Sequence, residues 1–277
     1  MARLSDVIDQ KLLEDCEVIV CDNVAHYFYA SKEVFGEPSL KWSINDFPNI
    51  APPFKRMLLE WKLPRFVAPK PVYVGVLIES SEHNLSSSFD FKWYSLLSLY
   101  VAMPDKDWSD RSVGALIEVK EDGTWNGKLL PLDFNGSEIR DDHNASVAID
   151  YFRRYMWPAL LAISFMHCKN VELKTQIPPA PLSKKHQKKT GRPLVKYKVL
   201  EIEPMKKVLR TEGQSETLGL KHALHICRGH FKDYSKGGGL FGKYKGLYWW
   251  ESHVRGDPSQ GVVVKDYSVN PPTDTPT

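Results

Sequence analysis

The segment His225-Ile226-Cys227-Arg228-Gly229-His230-Phe231 sets histidine, cysteine and arginine between apolar residues and a glycine. Leu240-Phe241-Gly242-Lys243-Tyr244-Lys245-Gly246, Trp249-Trp250 and His253-Val254-Arg255-Gly256 follow within 25 residues. Four of the chain's nine histidines lie between positions 222 and 253. Metal-free cleavage of RNA needs these residue types: a base for the 2′-hydroxyl, an acid for the departing oxygen, and cations for the crowded phosphorane. His225, His230 and His253 are the candidates for proton transfer, with His230 and His253 as the leading pair. Arg228, Arg255 and Lys243 are the candidates for charge stabilisation, arginine offering a bidentate fork. Tyr244 and Trp249 are candidates for stacking on an unpaired base.

Other chemistries fit the spacing less well. His225, Cys227, His230 and His253 are zinc-ligand types, but His-x-Cys-x-x-His lacks the second short arm of a structural zinc site, so no metal is expected. Gly237-Gly238-Gly239 precedes Leu240-Phe241-Gly242-Lys243, yet Tyr244 stands where a phosphate loop needs Ser or Thr. A hairpin tip is the expected role. Asp141-Asp142-His143 is the best acidic cluster, and its place before a helical pattern reads as capping. No cofactor is expected.

Charge is divided unevenly along the chain. Residues 1–174 carry 19 Lys/Arg and 25 Asp/Glu, net −6, whereas residues 175–277 carry 18 Lys/Arg and 9 Asp/Glu, net +9. A basic back third is expected to meet a polyanion. Between residues 182 and 198 there are seven Lys/Arg and no acid. Lys184, Lys185, Lys188, Lys189 and Arg192 are therefore expected phosphate-backbone contacts, with RNA favoured over DNA. The rival reading is a protein without catalysis that binds a host protein or nucleic acid, using the acidic front half as its contact surface. The longest apolar run, Met156 to Met166, is 11 residues and contains Pro158, well short of the roughly 20 a membrane helix needs. Acidic residues interrupt the start of the chain, so no signal peptide is expected. Four scattered cysteines without a CxxC pair point to free thiols and a cytoplasmic location.

The elements that must position these residues follow from periodicity. Residues 4–15 read as a short amphipathic helix, Glu17–Cys21 as a strand and Asp22–Phe35 as a helix. Three prolines make Phe47–Phe54 an extended loop. Val72–Ile78, Phe91–Ala102, Val113–Val119 and Trp125–Leu132 read as strands of a largely antiparallel sheet, the last two joined as a hairpin at Lys120–Thr124. One long helix is expected from about Asp142 to Cys168, kinked at Pro158. Val171–Ile177 and Leu194–Glu203 read as strands close enough to pair, and Ser215–Cys227 as a helix. Gly246–Val254 and Gly261–Val269 read as closing strands. The expected fold is α+β, an antiparallel sheet with a long packed helix plus a smaller β-rich C-terminal domain. Its parts are an acidic domain at 1–177, a basic loop or linker at 178–193, a His/Arg-rich domain at 194–270 and a tail at 271–277.

Ala223-Leu224-His225-Ile226-Cys227-Arg228-Gly229-His230-Phe231, with Leu240-Phe241-Gly242-Lys243 and His253-Val254-Arg255-Gly256, resembles a block in uncharacterised proteins of bacteriophages and bacterial mobile elements. The resemblance extends back to Phe165-Met166-His167-Cys168-Lys169-Asn170-Val171. It implies a phage or mobile-element context and no established activity. A looser likeness to small bacterial toxin endoribonucleases is one of general architecture alone.

Overall fold

The computed structural model describes residues 3–6, 8–30, 42–83, 90–103, 113–203, 223–227, 229–251, 253–255 and 257–262. At 223–227, 253–255 and 257–262 the description is of the backbone. The chain divides into two compact units, Met1–Ile202 and Glu203–Thr277.

The first unit is built on strands β1 (Glu17–Val20), β2 (Arg56–Lys62), β3 (Tyr73–Glu82), β4 (Trp93–Ala102), β5 (Gly114–Val119), β6 (Trp125–Leu132), β7 (Val171–Gln176) and β8 (Tyr197–Ile202). They form one eight-stranded sheet in the order β6-β5-β4-β3-β2-β1-β8-β7. The sheet is mixed: β1 runs parallel to both β2 and β8, and the other pairs are antiparallel. A parallel pair needs a crossover connection, and α1 (Asp22–Ala30) lies within the one from β1 to β2. The five inner residues of β2 are all buried, as expected for a central strand covered on both faces. On one face Leu58 and its partner Leu77 pack with Leu4 and Ile8.

Two expected helices take other forms. Residues 4–15 form 3-10 turns at Leu4–Asp6 and Gln10–Leu13 instead of a helix. Leu4 and Ile8 still reach the core, while Asp9 accepts the Lys11 amide and starts the second turn afresh. The long helix is two, α2 (Asp142–Tyr155) and α3 (Trp157–Met166), with Pro158 in the first turn of the second. Proline has no N–H for the carbonyl four residues back, that of Arg154. Tyr29 takes that place, its hydroxyl donating to the Arg154 carbonyl at 2.7 Å.

The proline-rich loop docks on α3. Ser164 Oγ donates to the Asn49 carbonyl, and His167 Nε2 lies 2.8 Å from the Ala51 carbonyl. The hairpin at Lys120–Thr124 forms as read, with the Lys120 amide donating to the Thr124 carbonyl. β7 and β8 also pair as read, Val171 opposite Ile202, and both belong to the front sheet. The segment between them, read as a loop or linker, is a helix, α4 (Ala180–Thr190), and lies with β7 and β8 in the first unit.

In the second unit β9 (Ala223–Cys227), β10 (His230–Asp233), β11 (Leu247–Trp250), β12 (His253–Arg255) and β13 (Asp257–Val262) are strands. The end of the helix expected at 215–227 is thus a strand, because Ala223–Cys227 pairs with segments about 30 residues later; 204–222 lie outside the described residues. Among the described residues no helix is long and apolar enough to cross a membrane.

Candidate functional site

Two places gather the residues singled out by sequence. The first is α4, whose ends follow from local chemistry. Pro181 stands in its first turn, where a missing N–H costs nothing, and Gly191 follows its end in the left-handed region at φ +77°. The Gly191 amide closes the last turn on the Gln187 carbonyl, and Ser183 Oγ accepts the Leu194 amide, which ties the helix to the chain leaving it. No residue of α4 is buried. Lys184, Lys185, Lys188 and Lys189 are all exposed, in two like-charge pairs four residues apart. Such pairs disfavour a helix, and no acid of α4 offsets them. Arg192 has a different task. Its guanidinium donates to the Ile8 carbonyl at 3.0 Å, pinning the end of the helix to the amino-terminal turns.

Beside α4 lies a charged network on Arg3. Its guanidinium donates to the Val195 carbonyl at 2.7 Å, pairs with Asp6 at 3.4 Å and stacks on the Tyr197 ring at 3.6 Å. Ser5 donates to Glu60 through both its amide and its hydroxyl, each at 2.7 Å. Glu60 is buried at the centre of the sheet, and burial pushes its carboxyl up to about 7 although Ser5 and Arg3 oppose the shift. Burial likewise raises the thiols of Cys16 and Cys168, to about 11 and about 12, and that of Cys21. These three are free cysteines, of which Cys21 and Cys168 are buried and unreactive by this measure.

The second place is the strands of the second unit, a two-stranded ribbon of β10 and β11 and a three-stranded sheet in the order β12-β9-β13. β10 pairs with β11, placing His230 opposite Trp250 and Asp233 opposite Leu247. β9 pairs with β12, placing Cys227 opposite His253 and His225 opposite Arg255. The two pairings share one register: three positions separate Cys227 from His230, and three separate Trp250 from His253. Arg228 lies outside the described residues.

The connection from β10 to β11 begins and ends in hydrogen bonds. The Tyr234 amide donates to the Gly246 carbonyl, and Leu240 and Tyr244 exchange amide-to-carbonyl bonds at 2.9 and 3.0 Å around the turn Phe241-Gly242-Lys243. Gly239 is required there, since a Cβ on it would sit 2.7 Å from the Tyr244 carbonyl oxygen. Lys243 thus belongs to a turn beyond the Asp233/Leu247 rung, away from the His230/Trp250 end of the ribbon. Its ammonium lies 5.6 Å from the Tyr244 ring.

The expected stacking residues are used within the unit. Trp249 is 3% exposed and meets Phe231 edge-on at 4.7 Å. Tyr244 is 6% exposed and packs with Tyr248, Tyr234 and Leu240. Tyr244 belongs to the small core that holds the connection to the ribbon and Trp249 is packed on Phe231, so both rings are buried within the unit. His230 and Lys232 are exposed on the ribbon, and Lys232 lies 5.9 Å from the half-buried Trp250 ring. Sequence reading passed over Lys232 because it stands outside the glycine-flanked motif.

Comparison of the chain with protein families, curated proteins and solved structures finds no match. What the molecule does is therefore read from its own residues. Among those described, no group of three or more His, Cys, Asp or Glu is placed to hold a metal ion. The arrangement offers a band of cations on a helix and, separately, His225 and Arg255 at one rung of the β9–β12 pair with His253 two rungs away.

Proposed function

We propose that the chain binds nucleic acid, single-stranded RNA in particular, through the exposed cations of α4. One observation carries this reading. Four lysines stand exposed on eleven residues of helix, in like-charge pairs and with no acid on the helix itself. A partner that supplies regularly spaced negative charge relieves that repulsion and releases counterions. The test is the salt dependence of RNA binding by fluorescence anisotropy. Affinity falls with rising salt, and Lys184→Ala with Lys188→Ala lowers the magnitude of the log–log slope by about 1.4, or about 0.7 per lost phosphate contact. An affinity indifferent to salt overturns the reading and favours a protein partner.

The ribbon register supports a second reading, cleavage of the bound RNA without a metal. His225 and His253 stand in rungs two positions apart, with Arg255 opposite His225. In this reading one histidine takes the 2′-hydroxyl proton, the other protonates the leaving oxygen, and Arg255 meets the phosphorane charge. His225→Ala with His253→Ala abolishes cleavage by the purified protein. Cleavage unchanged in the first variant overturns the mechanism.

A further inference from the structure

A groove of about 410 Å³ runs along α4, and its lining is uneven in a way the lysine band does not explain. Leu182, Lys185, His186 and Lys189, spaced along one face of the helix, line it; Lys184 and Lys188 do not. The facing wall includes Arg3 and Tyr197. Among the described residues the only acid on the lining is Asp6, and Arg3 already engages it through its amide at 2.9 Å and its guanidinium at 3.4 Å. Two buried nitrogen atoms of lining residues, Arg3 Nη1 and His186 Nε2, have no hydrogen-bond partner among the described residues. A buried donor left unpaired is costly, and such groups are rare unless something else satisfies them. The rest of the lining is apolar: Leu182, which is 56% exposed, together with Pro178, Pro179 and Leu194.

We propose that this groove binds a phosphate monoester carried on a nucleoside, either a free nucleotide or the phosphorylated terminus of a nucleic-acid strand. A monoester carries about −1.5 to −2 charges near neutral pH and three acceptor oxygens, more than an internal phosphodiester offers at one point. Lys185 and Lys189 supply countercharge one helical turn apart, with the Arg3 guanidinium on the facing wall. The apolar residues give the nucleoside a surface to cover. A cationic ligand is repelled by this lining, and an apolar one leaves its positive charge without a partner. The proposal goes beyond the binding of a strand by the helix: it assigns adjacent faces of α4 to different parts of a ligand and applies equally to a free nucleotide.

The test uses the full chain and three probes, AMP and one short single-stranded RNA prepared with a 5′-phosphate or a 5′-hydroxyl. Alanine sustains helices well, so Lys185→Ala with Lys189→Ala, and separately Lys184→Ala with Lys188→Ala, keep α4 intact, as circular dichroism verifies. The wild type binds the 5′-phosphorylated RNA about tenfold more tightly than the 5′-hydroxyl RNA, the gain from about one charge-assisted contact. Lys185→Ala with Lys189→Ala erases that preference, and Lys184→Ala with Lys188→Ala retains it while weakening both RNAs. AMP that binds and displaces the 5′-phosphorylated RNA identifies the free nucleotide as a ligand; a preference without AMP binding identifies the strand terminus. If neither RNA binds but AMP binds through Lys185 and Lys189, the groove assignment stands and the strand-binding reading falls. Equal affinity for both RNAs without AMP binding overturns the proposal, as does a preference or AMP affinity unchanged in the Lys185/Lys189 variant.

Discussion

Helices α3 and α4 are ten and eleven residues long and both carry proline in the first turn, yet they lead opposite lives. Nine of the ten residues of α3 are buried, apolar on every side of the helix, and its one hydroxyl, Ser164, is spent on the docked proline-rich loop. No residue of α4 is buried, and four of its eleven are lysines. Helices this short are marginal in isolation, so each needs support from outside itself. Packing in the first unit supplies it for α3. For α4 it comes from a left-handed glycine, the Ser183–Leu194 bond and the Arg192–Ile8 anchor, which leave the cationic surface open. The start signal is the same in both, and what covers the side chains separates scaffold from binding surface.

The contrast can be tested from its strong end to its weak one. Leu161→Ala, at the fully buried centre of α3, costs about 3 kcal/mol of stability, read as a lower urea midpoint. Loss below 1 kcal/mol would mean that α3 is not the scaffold its burial makes it. The buried acid beside the α4 groove contributes through pH. Burial raises the folded-state value of Glu60 from 4.5 to about 7, so the folded chain holds this proton longer than the unfolded chain does. Its contribution is complete below pH 4.5, declines as pH rises and is lost above about 7; Glu60→Gln flattens that segment of the stability profile. Tyr29→Phe leaves the Arg154 carbonyl without its hydroxyl donor and costs about 1–2 kcal/mol in thermal unfolding. Lys184→Glu has the smallest effect on stability and the opposite sign. It turns the repulsion with Lys188 into an i,i+4 attraction, gaining a few tenths of a kcal/mol while weakening RNA binding. A variant that gains stability and keeps its RNA affinity would remove the argument that α4 tolerates repulsion for the sake of a ligand.

How much could be read in advance varies with the range of the deciding interaction. The Lys120–Thr124 hairpin and the β7–β8 pair were legible because their patterns are local and their partners near. Pro158 announced an interruption, but its form, two helices with Tyr29 capping a carbonyl, depended on a residue 125 positions away in sequence. α4 escaped because lysines hide helical periodicity and only Leu182 marks an apolar stripe; Pro181 and Gly191 were the signals that bracket it. Leu4 and Ile8 promised a helix by spacing, and two short turns satisfied the same burial. In the second unit the residue types were visible, but the pairing that sets His225 opposite Arg255 and Cys227 opposite His253 was not. Tyr244 and Trp249 looked like platforms for bases because composition cannot tell an exposed ring from one that packs against its neighbours.

The parallel neighbours of β1 also govern timing. Ile19 pairs with Lys198, so one edge of this strand has no partner until the chain has grown by almost 180 residues. At 5–20 residues per second that wait on the ribosome is about 9–36 s. Throughout it the nascent sheet presents an open edge near its eventual centre, a template for wrong pairing that closes only when β8 emerges. A chaperone that shields β1 in this interval would raise the yield of folded chain, and a truncation before residue 197 would aggregate even though seven of the eight strands of its sheet are present.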